Sequence, residues 1–539
     1  MTTVLIEDVV TNTAYAASGS CTGTTPSVTA ASTLTSRCVL TATDILTNNG
    51  LINVTTTSSA VFVDSASTGV TINNNGTINL SVPGSSFGNA AIFVDAAATN
   101  TTISNTGTIS AFENSTATAL IAGIRYSGDL DGSLTNDGTI QATATSASAA
   151  IATGIRIDGA LTGTLTNTST GSISAAASSA SGVFAAGIDP QFIGSTGLLI
   201  NDGSISATAQ NGGFVIATGI ALTGSTTGGA SIAAGGELNN TSNGTINAFA
   251  SNASTSAVAF GIFLKNDLDG SLSNDGSITA TATNAVFAAG AIGINIGGDI
   301  NGTLDNTGTV SAAAVDAASV PRAIATGVRV GGFISSTGLL DNSGTISASA
   351  HGGFNIATAL GVGLSNTTGS GASIADGGSL TNTGTITATI GVTGTSATNA
   401  FAGGIVMPGS VAGSLTNDGT ISVQVNEAFS TARAVGMLFS AITGTGSVVN
   451  SDTITVFASN ADTALAQGIA MSGNLAGTLT NDGSITVSAL NASSLASAVG
   501  INIGGALTGT LTNASTGSIS AFASNAATVF AAGIDPTFI

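Results

Sequence analysis

The sequence predicts an all-β protein, a right-handed parallel β-helix (β-solenoid) of about 15 coils with a mean repeat of about 33 residues. Three observations predict it. A phrase of Asn, then Gly, then a β-branched residue two positions after the Gly recurs fifteen times along the 539 residues. Between copies, apolar residues alternate with period two rather than 3.6, as in strands with one buried face. The composition is 42% hydrophobic but only 6% charged, with 73 Gly, no Trp and a mean hydropathy of +0.48. That is too apolar for a disordered chain and too rich in Gly and β-branched residues for stacked helices.

The Asn residues of the phrase are Asn48, Asn74, Asn105, Asn136, Asn167, Asn201, Asn240, Asn274, Asn306, Asn342, Asn382, Asn417, Asn450, Asn481 and Asn513. The β-branched position is Ile in fourteen copies and Val310 in the other, and the Gly is replaced once, by Asp452. Three copies carry two extra residues: NTSTG (167–171), NTSNG (240–244) and NASTG (513–517). Asn-x-Gly between two apolar runs reads as a turn whose Asn and Gly tolerate positive φ. Two further phrases recur in each period. TIQATA (139–144) and SISATA (204–209) represent the strand after the turn, and ATGIRI (152–157) and AVGINI (498–503) represent another. One repeat cannot bury its own apolar face, but stacked coils can. At about 4.8 Å per coil the stack would be about 70 Å long, and a right-handed crossover is the favoured connection.

Residues 1–45 lack the phrase and read as an N-terminal cap holding a disulfide between Cys21 and Cys38, the only cysteines. A loop of that size contributes about 3 kcal/mol when closed. Residues 46–539 read as one continuous array ending mid-repeat, because VFAAGIDPTFI (529–539) copies VFAAGIDPQFI (183–193), which runs on. The chain is therefore expected to be a segment of something longer, or a protomer whose end a neighbour covers. FIGSTGLLINDGSISA (192–207) returns as FISSTGLLDNSGTISA (333–348), so whole blocks of repeats are duplicated. No apolar run reaches the roughly 20 residues of a membrane-spanning helix, and the N-terminus lacks signal-peptide features.

The 27 acids against 7 bases, net −20, argue against nucleic acid as a partner, because phosphate neutralisation needs basic clusters, and disfavour anionic membranes. The Asn column is expected to form a ladder of side-chain amides from coil to coil. The Asp that follows it in five copies (Asp137, Asp202, Asp275, Asp418 and Asp482) reads as an exposed turn residue. DLDG, with Asp129 and Asp131 and again with Asp267 and Asp269, looks like the start of a calcium loop, but the rest of that loop is missing. Weakly bound calcium there is the leading metal expectation, set against a plain polar loop, and no other cofactor is expected. The bases read as scattered, single solvated residues; Arg125 and Arg156 follow the same GI phrase one coil apart and Arg329 the equivalent GV phrase, so a stripe is the alternative. His351 stands without a paired nucleophile, and the Phe residues, mostly beside Ala, read as core. The Thr column alternates with Ser and Ala too often for a flat ice-binding face. No catalytic residues are assigned, because β-helix polysaccharide lyases and hydrolases need convergent carboxylates and bases.

LTNDGTI (134–140), LTNTGTI (380–386) and LTNASTGSI (511–519) resemble the repeats of bacterial autotransporter passenger domains and related surface adhesins. The resemblance covers about residues 46–539. It implies a non-catalytic, exported, structural or adhesive β-solenoid at the bacterial cell surface, anchored in the outer membrane through a region outside this chain. Its partners would be glycans or proteins of a host or cell surface. A self-assembling surface-layer or filament subunit, associating with neighbouring protomers, is the alternative. A β-helix polysaccharide-degrading enzyme is the alternative of another class.

Overall fold

The computed structural model describes residues 26–28, 30, 33–56, 58–83, 88–146, 148–315, 321–369, 371–391 and 397–538. All regular structure among them is parallel β-strand, with no helix. Contacts divide the chain into two compact units, Met1–Ala253 and Ser254–Ile539. Both are parallel β-solenoids.

In the first unit a coil is three strands: Thr102–Asn105, Thr108–Ser115 and Thr118–Tyr126. Each lies in register on its counterpart one coil later, pairing Asn105 with Asn136, Ile109 with Ile140 and Ile124 with Ile155. The second unit repeats the plan: Thr303–Asn306, Thr309–Val315 and Arg322–Val330 pair with Leu339–Asn342, Thr345–His351 and Ile356–Leu364. From Asn48 to Asn240 the period averages 32 residues, and from Asn274 to Asn513 about 34.

Register follows from the alternation. A slip of one residue would turn the whole apolar set outward. In register, Ile109, Ile140, Ile173 and Ile205 form one interior column of fully buried side chains, each worth about 1.5–3 kcal/mol of transfer free energy. The Gly of the A-x-G-I phrase faces that column. A Cβ on Gly154 would sit 2.6 Å from Ile173 Cγ2 and 2.5 Å from the Gly187 carbonyl oxygen. Isoleucine fills the space that this Gly leaves.

The Gly of the Asn-x-Gly corner is needed for a reason other than the one the turn chemistry suggests. Gly76, Gly107 and Gly138 do not adopt positive φ. Instead, a Cβ on Gly138 would lie 2.1 Å from the carbonyl oxygen of Gly107, one coil back. Asp452 is the natural exception, and pairing gives way there. Thr385 pairs with Thr420 and Thr453 with Ser484, but the register between Thr420–Val425 and the strand from Thr453 begins only at Ile421 and Ile454. The inserted turns are absorbed outward: Ser169 and Thr170 are exposed, while Ile173 still pairs with Ile140.

Coil pairing extends N-terminal of the first phrase. Ser27–Val28, Thr33–Leu34 and Cys38–Leu40 pair with Ile45–Asn48, Leu51–Val54 and Ser59–Val63. Cys38 is buried and disulfide-bonded; Cys21 lies outside the described residues.

The Phe residues correct the expectation of an aromatic core. Among the described residues Phe439 alone belongs to the core. Phe112, Phe249 and Phe522 stand exposed on the second strand of their coils, facing away from the small Ala columns. The second-strand columns are filled by Ile, Leu, Val and Ala; among the described residues the interior takes rings on the third strand, at Tyr126 and Phe439.

Candidate functional site

The most extensive arrangement of polar side chains is the Asn column, which runs inside each unit. In the first, Nδ2 of Asn48 donates to Oδ1 of Asn74, and the chain continues through Asn105, Asn136, Asn167 and Asn201 to Asn240. In the second it runs from Asn274 through Asn306, Asn342, Asn382, Asn417, Asn450 and Asn481 to Asn513. The distances are 2.6–2.8 Å. Asn74 Nδ2 also meets the carbonyls of Gly76 and Thr108, and its own carbonyl accepts from the N–H groups of Thr106 and Gly107. The side-chain amide is thus bonded to the coils on both sides and fully buried, out of a ligand's reach.

The Asp beside the ladder is also used. Asp137 accepts from the Thr168 hydroxyl, Asp202 from the Thr241 hydroxyl and Asn243, and Asp275 from Thr307 at 2.6 Å, each one coil on. The DLDG carboxylates do similar work. Asp129 Oδ1 accepts from Ala160 N (2.7 Å), Asp131 Oδ1 from Asn100 N (2.8 Å), Asp267 Oδ1 from Asp299 N (2.8 Å) and Asp269 Oδ1 from Asn301 Nδ2 (2.7 Å). Burial, and beyond it Asp267 and Asp269, push the Asp299 carboxyl above its usual range, against the Phe333 N–H that donates to it. Among the described residues no three His, Cys, Asp or Glu side chains converge as a metal site.

Arg125 and Arg156 are not single solvated residues. They are register partners on the third strand, and both reach Asp158: Arg125 Nη2 at 2.6 Å and Arg156 Nε at 2.6 Å. The Arg125 guanidinium also lies 5.5 Å from the Phe93 ring centroid. Next in register after Arg156 is Asp189. Burial pushes its carboxyl up to about 6, opposed by Arg156 and by the Thr223 hydroxyl (3.4 Å) and reinforced by Asp158. Arg329 reaches Asn295 Oδ1 at 3.4 Å. Sequence spacing placed the two Arg on one phrase but gave no hint of Asp158, which immediately follows that phrase at 152–157.

His351 has a hydroxyl neighbour. Ser349 Oγ lies 2.6 Å from its Nε2, because residues i and i+2 share one side of the strand Thr345–His351. No carboxylate orients the imidazole among the described residues. The pair therefore lacks the third group that makes a nucleophile and base a catalytic unit.

A second Asn ladder was missed by the sequence reading. Asn211, Asn252, Asn460, Asn491 and Asn525 take φ of 54–59° at the corner between second and third strands. Asn252 donates to Asn211 (3.1 Å) in the first unit; in the second, Asn491 donates to Asn460 (3.2 Å) and Asn525 to Asn491 (2.9 Å). The signal was present: SNA at 251–253, 459–461 and 524–526, with LNA at 490–492. Asn is the non-Gly residue best able to occupy this conformation.

No protein-family model, curated protein or solved structure matches the chain. No helix among the described residues is long and apolar enough to cross a membrane.

Proposed function

We propose that this chain is a non-catalytic structural and adhesive shaft, exported to a bacterial cell surface in the manner of an autotransporter passenger. The observation that carries the reading is the commitment of the recurrent polar groups: the Asn column and the Asp137, Asp202 and Asp275 carboxylates are bonded to neighbouring coils. A repeat that spends its polar groups on its neighbours builds length, and any specificity falls to the outward side chains, which vary from coil to coil. The test is antibody labelling and protease shaving of intact cells that make the protein. Full labelling and shaving are expected; a chain reached only after lysis overturns the proposal.

The self-assembling alternative has one observation in its favour. Phe287, Phe354 and Phe429, 57–72% exposed, occupy the same corner between second and third strands. They recur at every second coil, a spacing of about 10 Å. A row of exposed aromatic side chains of this kind favours contact with another surface. Sedimentation of the chain beside a variant with all three changed to Ser distinguishes the readings: loss of a higher assembly in the variant favours the subunit, and a monomer in both favours the shaft.

A further inference from the structure

Glu113 occupies an interior position of the strand Thr108–Ser115 that its register partners fill with Val82 and Ala144, and the following coils with Ala177 and Ala209. Its side chain is fully buried, and Asn89 beside it is 2% exposed. Oε2 accepts from Asn89 Nδ2 and from the Leu120 N–H, both at 3.1 Å. Among the described residues the other two oxygens, Glu113 Oε1 and Asn89 Oδ1, have no hydrogen-bond partner. Two buried acceptors without a donor, on side chains already joined by the Asn89–Glu113 hydrogen bond, are a costly arrangement. One added proton removes the cost. A carboxylic acid lying side-on to a carboxamide forms two antiparallel hydrogen bonds, Nδ2–H to Oε2 and Oε1–H to Oδ1.

We propose that Glu113 and Asn89 form a buried proton-binding site, in which the protonated carboxyl pairs with the amide and holds the corner between the second and third strands closed. Binding takes one proton from water and no other reactant. The surroundings supply no competing cation. Of the strands packed around Glu113, Thr77–Pro83, Thr139–Ser146 and Asn89–Val94 carry no titratable side chain. Thr118–Tyr126 carries Arg125, which is turned to Asp158 and the Gly88 carbonyl, and the buried Tyr126. Burial raises the Glu113 carboxyl above its usual range, the Asn89 and Leu120 hydrogen bonds opposing. Protonation is therefore tighter in the folded state than in the unfolded one. The closing interaction is complete at low pH and is lost as pH rises through the folded value. An ionised Glu113 has no counter-charge to stay buried beside, so the turn from Ser115 to Thr118, tied down through Leu120 N, is the part that loosens.

The experiment uses the full chain, wild type beside Glu113→Gln and Glu113→Ala, with hydrogen exchange of peptides within 109–126 measured from pH 5 to pH 8 and corrected for intrinsic rates. In wild type, protection of this segment is expected to fall about tenfold or more with rising pH relative to the strand segment 484–503, which carries no titratable side chain. In both variants the relative protection is expected to be flat. The infrared difference spectrum at pH 5, wild type minus Glu113→Gln, is expected to show a carboxylic-acid C=O band; Asp189, protonated in both, cancels. A wild-type profile as flat as the variants', or a difference spectrum without that band, overturns the proposal; a buried water or metal ion satisfying the two oxygens gives the flat profile. Should Glu113→Gln fail to fold, Glu113→Ala, the residue of the following coils, provides both references.

Discussion

Replacing Gly138 by Ala tests why the corner Gly is required. A Cβ there would stand 2.1 Å from the Gly107 carbonyl oxygen and 2.7 Å from the Thr106 carbonyl carbon, both backbone atoms that cannot rotate away. The coils must separate locally, which weakens the bonds from Gly138 N to Asn105 O (3.0 Å) and from Thr139 N to Gly107 O (2.8 Å). Two such bonds contribute about 2 kcal/mol net, and forcing atoms into a packed site adds about 1–3 kcal/mol. The expected destabilisation is about 3–5 kcal/mol. Because repeat arrays open locally, urea unfolding followed by circular dichroism is to be joined by hydrogen exchange of Thr139–Ser146. Gly138→Asn separates two explanations. If positive φ were the requirement, Asn would recover much of the loss; if close approach is the requirement, Asn does no better than Ala. A loss below about 0.5 kcal/mol, or a clear rescue by Asn, refutes the argument. Asp452→Gly is the converse, expected to gain about 1 kcal/mol by restoring one pair, Thr420 with Thr453.

Three further outcomes follow from the same structure. Asn342→Ala strands Asn306 Nδ2 and Asn382 Oδ1 in the interior and is expected to cost about 2–4 kcal/mol, read by urea unfolding; Asn342→Asp, which adds a buried charge, costs more. Asp189 titrates near 6 when folded and lower when unfolded, so its contribution favours the folded state at low pH and is lost as pH rises through about 6. Asp189→Asn is expected to flatten the pH profile of stability between about 4 and 7, by at most about 3 kcal/mol. Asp158→Asn leaves two half-buried guanidinium groups without their carboxylate and is expected to cost about 1–2 kcal/mol, less at high salt; a thermal midpoint unchanged at low salt contradicts it.

The fold was legible in the sequence because its cause is local and repeated. Ile109 and its equivalents recur at one place in each period, and a strand slipped by one residue would expose them all, so pattern alone fixes register. The first Asn ladder was legible for the same reason. The second was not singled out, since SNA is short and Asn and Ser are abundant throughout. The role of Gly138 was misread because turn chemistry is a property of one chain segment, whereas the clash involves a carbonyl 31 residues away. Asp158 and Ser349 were missed in a similar way. Each acts through geometry, across coils for Asp158 and across a pleat for Ser349, that spacing in a polar, low-complexity chain does not single out. Phe was misassigned by hydrophobicity alone: on the second strand the inward positions are Ile and Ala columns, and Phe112, Phe249 and Phe522 fall at the outward positions between them.

The Asn column has a direction. At every link described, Nδ2 of the earlier coil donates and Oδ1 of the later coil accepts. Each coil therefore shows an acceptor on one side and a donor on the other, and any coil can follow any other without a mismatched joint. A gene encoding such a unit can be copied in blocks, and the new copy is compatible with its neighbours at once. The near-identical segments at 192–207 and 333–348 are what that history would leave behind. Directionality also forbids inversion. A block joined head to head would bring donor to donor, so the array can grow and shorten by whole coils but cannot reverse.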